Sequence, residues 1–184
     1  MQKWEAELGV EFLRRIGLRS GQIILDFGAR IGHYSIPAAV AVGKDGLIYA
    51  LDKEQDALNE LRRKAQKLNL RNITIIHTMG SIALAFETES IDVVLLYDVL
   101  HYFNLNERVK LYSEIFRVLK PNGFLSVYPK HVLEDSPLNK FDQVQFEDVK
   151  QEIMNANFKF QKKYCGTLSH DNFLNQGCVL NFTK

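Results

Sequence analysis

Asp26, Asp52 and the glycines between them are the residues of this chain whose types and spacing suit chemistry. The apolar run Ile23-Ile24-Leu25 ends in Asp26, and Phe27-Gly28-Ala29-Arg30-Ile31-Gly32 follows. A buried strand that meets an acid and then a glycine-spaced turn opening a helix lets backbone N–H groups approach a small anionic or polar ligand closely. A second apolar run, Leu47-Ile48-Tyr49-Ala50-Leu51, ends in Asp52, twenty residues past Gly32. An acid there is placed to hold a ribose diol. Together these features predict a site for a nucleoside-containing cofactor. The nicotinamide fingerprint would require glycines at 28, 30 and 33, but Arg30 and His33 occupy two of those places, which weakens a dehydrogenase reading.

Two histidines are candidates for proton transfer. His101 lies just beyond the fourth expected strand and His131 just beyond the fifth, and either imidazole could act as a general base at neutral pH. Local capping or hydrogen bonding is the competing reading for each. Cys165 and Cys178 match neither zinc nor CxxC redox spacing, so no metal site is expected and the thiols read as reduced. A disulfide between them would require their strands to pair.

Elements that could position these residues follow from hydrophobic periodicity. Trp4, Leu8, Phe12, Leu13 and Ile16 share a helical face that stops near Gly17. Helices are expected over His33–Val42, with Pro37 tolerable only in the first turn, and along Leu58, Leu61, Ala65 and Leu68. Two more carry Tyr112, Ile115, Phe116 and Leu119, and Phe146, Val149 and Ile153. Strands are expected at 22–27, 47–51, 73–76, 91–96 and 124–128, the last introduced by the turn Lys120-Pro121-Asn122-Gly123. Two alternating segments, 158–164 and 177–183, close the chain around a loop over 169–175.

Strands separated by helices imply parallel units with helices on both faces of the sheet, and the last two strands should pair antiparallel at one edge. The expectation is an α/β chain, a single domain over residues 1–184, built on a doubly wound, mostly parallel seven-stranded sheet. Hydrophobic residues make up 46% and charged residues 24% of 184, and the net charge is +1, so bulk electrostatics favour neither nucleic acid nor a membrane surface. With neither a signal-peptide layout nor a membrane-length apolar run, the chain reads as cytoplasmic.

Taken in order, four stretches resemble the landmarks of the class I S-adenosylmethionine-dependent methyltransferase family. They are the Asp26–Gly32 turn, Asp52, Ser90–Val94 leading into Tyr97-Asp98-Val99-Leu100-His101-Tyr102, and Leu119–Leu125 before the fifth strand. The resemblance covers about residues 8 to 128 and the closing strand pair. It implies a Rossmann-like methyltransferase fold with S-adenosyl-L-methionine as cofactor.

By the same resemblance Gly28 and Gly32 shape the turn around the methionine part, while Asp26 orients its ammonium and Asp52 accepts the ribose hydroxyls. Lys53 lies beside the adenosine, Gly80 and Ser81 match the adenine loop, and Tyr97 and Asp98 line the sulfonium end. Arg30 departs from the family's middle glycine. Its guanidinium is expected in solvent or on a surface acid, with the cofactor carboxylate as the alternative. Ser81 stands where the family often has an acid.

Tyr97-Asp98-Val99-Leu100 lacks the Asn/Asp-Pro-Pro-aromatic motif of amino-group methyltransferases. The form Asp98-Val99-Leu100-His101 looks most like small-molecule methyltransferases similar to those of ubiquinone and menaquinone biosynthesis. A small organic methyl acceptor is therefore implied, with the polar stretch 130–145 as a lid. The two other readings are a non-catalytic relative with a degenerate cofactor site and a nucleotide-dependent oxidoreductase.

Overall fold

A computed structural model of the chain describes residues 1–132 and 144–184. Among the described residues seven strands form one sheet in the order β3-β2-β1-β4-β5-β7-β6, with β7 antiparallel to β5. This is the doubly wound, mostly parallel sheet with an antiparallel edge that the periodicity implies. The chain divides into two compact units: residues 1–80 with 165–178, and residues 81–164 with 179–184.

The first unit begins with a π-helical turn, Trp4–Leu8, that runs into α1, Gly9–Ile16, and stops at Gly17. Strand β1, Ile23–Phe27, is followed by α2, Ser35–Val42, with Pro37 in its first turn, where a missing N–H costs nothing. Strand β2, Leu47–Asp52, pairs parallel with β1 and brings Phe27 level with Leu51. Helix α3, Gln55–Lys67, leads to β3, Ile73–His77, which pairs parallel with β2. Leu58, Leu61 and Ala65 of α3 bury against Ala29, Ile36 and Ala50, as their spacing requires. Leu68 falls just past the helix and is exposed instead.

In the second unit β4, Ile91–Tyr97, is followed by α4, Leu105–Val118. Asn104 and Glu107 close the start of α4 with a reciprocal capping box. Strand β5, Leu119–Tyr128, starts directly at the end of that helix, so Leu119, expected as the last residue of the helical stripe, is instead extended and buried at the start of the strand. The expected turn Lys120–Gly123 is therefore a bulge inside the strand: Ile91 pairs with Leu119, but Val93 pairs with Phe124. A Cβ on Gly123 would lie 2.7 Å from the Asp92 carbonyl oxygen, which explains the glycine.

Helix α5, Phe146–Asn155, gives Glu152 to a bidentate pair with the buried Arg108 at 2.6 and 2.8 Å, fastening α5 to α4. Of the expected lid over 130–145, residues 133–143 lie outside the described part of the chain. No helix among the described residues is long and apolar enough to cross a membrane.

The edge hairpin differs most from expectation. Strand β6, Lys159–His170, and β7, Phe173–Thr183, extend well past their expected limits and leave only Asp171 and Asn172 between them. Direct opposition across such a turn pairs residues whose numbers sum to 343. Thr167 and Gln176 obey this and share a 3.1 Å hydrogen bond. So do Cys165 and Cys178, which form a disulfide, correcting the expectation of reduced thiols. The residues added beyond the expected limits, 165–170 and 173–176, are exposed or half-buried apart from Leu168 and Ser169, so they carry little apolar pattern.

The disulfide closes a loop of 13 residues. Replacing both cysteines by serine should lower unfolding free energy by about 2–3 kcal/mol, read by urea titration without reductant. Equal stability of the two proteins would show that the hairpin does not need its cross-link.

Candidate cofactor site

Where β1 ends, the chain turns back onto the end of β2. The N–H groups of Gly28 and Ala29 both donate to the Leu51 carbonyl, at 2.8 and 2.9 Å. The Arg30 N–H donates to Asp52 Oδ2 at 2.7 Å, and the Glu54 N–H donates to Asp52 Oδ1 at 2.9 Å. Three N–H groups of the turn are thus committed to β2. They fix the turn and aim Asp52, whereas the sequence pattern had suggested donors free for a ligand. Each Asp52 oxygen retains a lone pair, so the carboxylate can accept the two O–H groups of a vicinal diol.

Backbone conformation explains the residue types of the turn. Gly28 and Gly32 have φ of 85° and 87°, where side chains are strained. At Gly32 a Cβ would also meet Leu61 Cδ1 at 2.3 Å inside the core. Arg30 adopts the same left-handed region, with φ 45°, although it carries a side chain. That conformation costs a non-glycine residue about 1–2 kcal/mol. A charge-assisted bond such as Arg30 N–H to Asp52 contributes about 1.5–3 kcal/mol, enough to hold it.

The Arg30 guanidinium points away from the turn to the hairpin tip, where Nη1 meets Asp171 Oδ1 at 2.5 Å. Of the alternatives weighed, the surface acid is the partner seen. Two further contacts join the same elements. Tyr34 OH donates to the Ser169 carbonyl at 2.8 Å, and His33 Nε2 lies 3.3 Å from Asn172 Oδ1. On its other side His33 Nδ1 sits 3.4 Å from Glu5, which also pairs with Lys64 at 2.9 Å. Burial pushes the Glu5 carboxyl up, but the hydrogen bonds and charges of His33 and Lys64 outweigh it and leave its pKa lowered.

Asp26 is fully buried at the end of β1 and accepts a 2.5 Å hydrogen bond from Ser35 Oγ at the start of α2. Burial pushes its pKa up to about 7, the Ser35 hydrogen bond opposes this, and the negative charge of Asp52 adds to it. Among the described residues only Ser35 and the negative Asp52 act on this buried carboxyl, so this half of the site suits a ligand with an ammonium group. Ser35 was not singled out by sequence. Ser at a helix start gives a weak signal, because capping accounts for it equally well.

Lys53 follows Asp52, and its carbonyl accepts from His77 Nε2 at 3.0 Å. Gly80, past β3, has φ 79° and open space where a Cβ would stand.

The remaining sequence candidates belong to the second unit. Ser81 is exposed, and its hydroxyl is engaged with the Ala83 backbone at 3.2 and 3.4 Å. Tyr97 OH is 2.7 Å from Ser126 Oγ, within the core. Asp98, His101 and His131 come together: Asp98 Oδ1 is 3.4 Å from His131 Nε2 and 3.7 Å from His101 Nδ1. The imidazoles meet edge to face at 4.4 Å between centroids. Asp98 and His131 both have positive φ, 56° and 64°, a strained backbone at the carboxyl ends of β4 and β5. His131 is 20% exposed and His101 only 4%, so His131 is the more accessible base.

The pKa of Asp26 has a consequence for stability. Folding favours its neutral form, so the stability it lends is complete below about pH 3.8 and is lost as pH rises toward 7. Asp26→Asn removes that loss. Relative to wild type, the variant should gain on the order of 2 kcal/mol between pH 5 and pH 8 in denaturant titrations without ligand. A difference that stays constant with pH would rule out the raised pKa.

A family model described as a methyltransferase domain matches residues 24–123. A demethylmenaquinone methyltransferase of Oceanobacillus iheyensis is 29% identical over 111 residues, 60% of this chain and 45% of that protein. Aklanonic acid methyltransferase DauC of Streptomyces sp. strain C5 is 27% identical over 158 residues, 71% of this chain and 70% of its own. The chain thus spans less than half the length of the first of these relatives. A crystal structure of a SAM-dependent methyltransferase from Aquifex aeolicus superposes with a TM-score of 0.77 at 20% identity. That match covers 98% of this chain and 92% of the other, and it speaks for a shared fold.

Proposed function

We propose that this chain, which belongs to the methyltransferase domain family, uses S-adenosylmethionine to methylate a small organic acceptor. The observation that carries this reading is the paired presentation of Asp26 and Asp52 by one turn. Asp52 is held by two N–H groups with lone pairs left for a diol, and no cation among the described residues acts on buried Asp26. A ribose and an amino-acid ammonium in one molecule meet both requirements. Gly28 and Gly32 supply the positive φ that the turn requires, and Arg30 contributes its backbone N–H to Asp52 while its side chain serves the hairpin tip.

Gly80, Ser81, Lys53, Tyr97 and Asp98 complete the cofactor-binding set by their match to the family pattern. When bound, this cofactor supplies an activated methyl electrophile, so the protein's task is to orient the acceptor, exclude water and take up a proton. His131 is the proton acceptor in this reading, with Asp98 stabilising the imidazolium that forms and His101 packed on its ring. The demethylmenaquinone and aklanonic acid methyltransferases among its relatives support an acceptor of the small-molecule class.

Calorimetry with S-adenosylmethionine, S-adenosylhomocysteine and NAD tests the reading. Micromolar binding of the two sulfur compounds and none of NAD is the expected result. Asp52→Ala should weaken S-adenosylhomocysteine by about tenfold or more, the value of a hydrogen-bonded charged acceptor. Failure of both sulfur compounds to bind wild type would remove the cofactor and the reaction together.

A further inference from the structure

Arg30 stands in a left-handed conformation (φ 45°) that suits glycine, and it is held at both ends. Its N–H is 2.7 Å from Asp52 Oδ2, and its Nη1 is 2.5 Å from Asp171 Oδ1 at the β6–β7 tip. We propose that Asp171 is a positioning residue of the cofactor site: through Arg30 it fixes the turn that aims the Asp52 carboxylate. This rests on the reading of Asp52 as the ribose-binding acid.

Several features make the tip a suitable support. Only two residues join the strands, and Asp171 itself has φ 50°, so its carboxylate is presented from a tight, defined turn. The Cys165–Cys178 disulfide ties the strands behind it. The bonds from Tyr34 to Ser169 and from His33 to Asn172 join the same tip to residues just after the turn. Asp171 therefore ends a supported lever, and Arg30 links that lever to Asp52. Were Arg30 glycine, the turn would adopt its conformation unaided, and the link would have no purpose.

That last point supplies the test, a double-mutant cycle read by two measurements. The first is calorimetric affinity for S-adenosylhomocysteine, and the second is hydrogen exchange of the Arg30 amide by NMR. Asp171→Ala should weaken binding about three- to fivefold, the range of an exposed ion pair, and should speed exchange of the Arg30 N–H. Added to Arg30→Gly, the same change should cause no further loss of affinity.

Equal losses in both backgrounds would make Asp171 merely structural and overturn the proposal. Unchanged affinity and exchange in Asp171→Ala would do the same. Tighter binding in Asp171→Ala would also overturn it, by giving the released guanidinium to the ligand. If wild type binds no S-adenosylhomocysteine but exchange of the Arg30 amide still depends on Asp171, the link stands and the cofactor assignment falls.

Discussion

The first unit depends on how the chain leaving β1 is received by the end of β2. In a parallel pair the last carbonyls of a strand have no partner unless something beyond the sheet provides one. Here the Leu51 carbonyl accepts from Gly28 and Ala29, and the Asp52 side chain takes the next donor, that of Arg30. The register that sets Phe27 opposite Leu51 makes this possible, because it starts the turn level with the acceptors. One set of hydrogen bonds ends β1, caps β2, sets the entry to α2 and orients the acid best placed for a sugar.

Committing those donors changes what the turn offers. A glycine-rich loop with free N–H groups favours phosphate, since it presents partial positive charge. Here the N–H groups of Gly28, Ala29, Arg30 and Gly32 are already bonded within the protein, and the turn presents two carboxylates, one buried with a pKa raised to about 7. The local field is negative and suits a ligand with hydroxyls and a cationic amine. The difference from a dinucleotide site is thus electrostatic as well as a matter of glycine count.

Much of this was legible in the sequence because the relevant forces leave a period. Apolar runs located the strands of the parallel core, and the 3.6-residue stripe located α3 through Leu58, Leu61 and Ala65, all of which are buried. The acids at strand ends were legible by position. The antiparallel pairing of the last two strands was legible as well, but the extent of the hairpin was not. The added residues 165–170 and 173–176 are mostly exposed or half-buried and carry little hydrophobic contrast, and the register is carried by a disulfide and a two-residue turn. Asp171 carries no chemical signature of its own. Its place beside Arg30 is a tertiary fact, 141 residues away along the chain. The bulge at Pro121–Gly123 was legible as an interruption but not as one within a strand, since turn residues mark a change of direction without saying whether pairing resumes.

Arg30 shows which property of the family's middle glycine this fold uses. Glycine could be needed there for space, with backbone pressed against a ligand, or for conformation, with φ beyond the reach of side chains. If space were the requirement, a long side chain should displace the turn from β2. Yet the Arg30 N–H is only 2.7 Å from Asp52, and the side chain leaves in the opposite sense to meet Asp171. The requirement met at this position is therefore conformational. A left-handed residue with a side chain is acceptable where its N–H bonds to a carboxylate and its far end finds a partner, because those interactions offset a penalty of about 1–2 kcal/mol. A substitution that resembles decay of the motif is, in three dimensions, an additional fastening of the same turn.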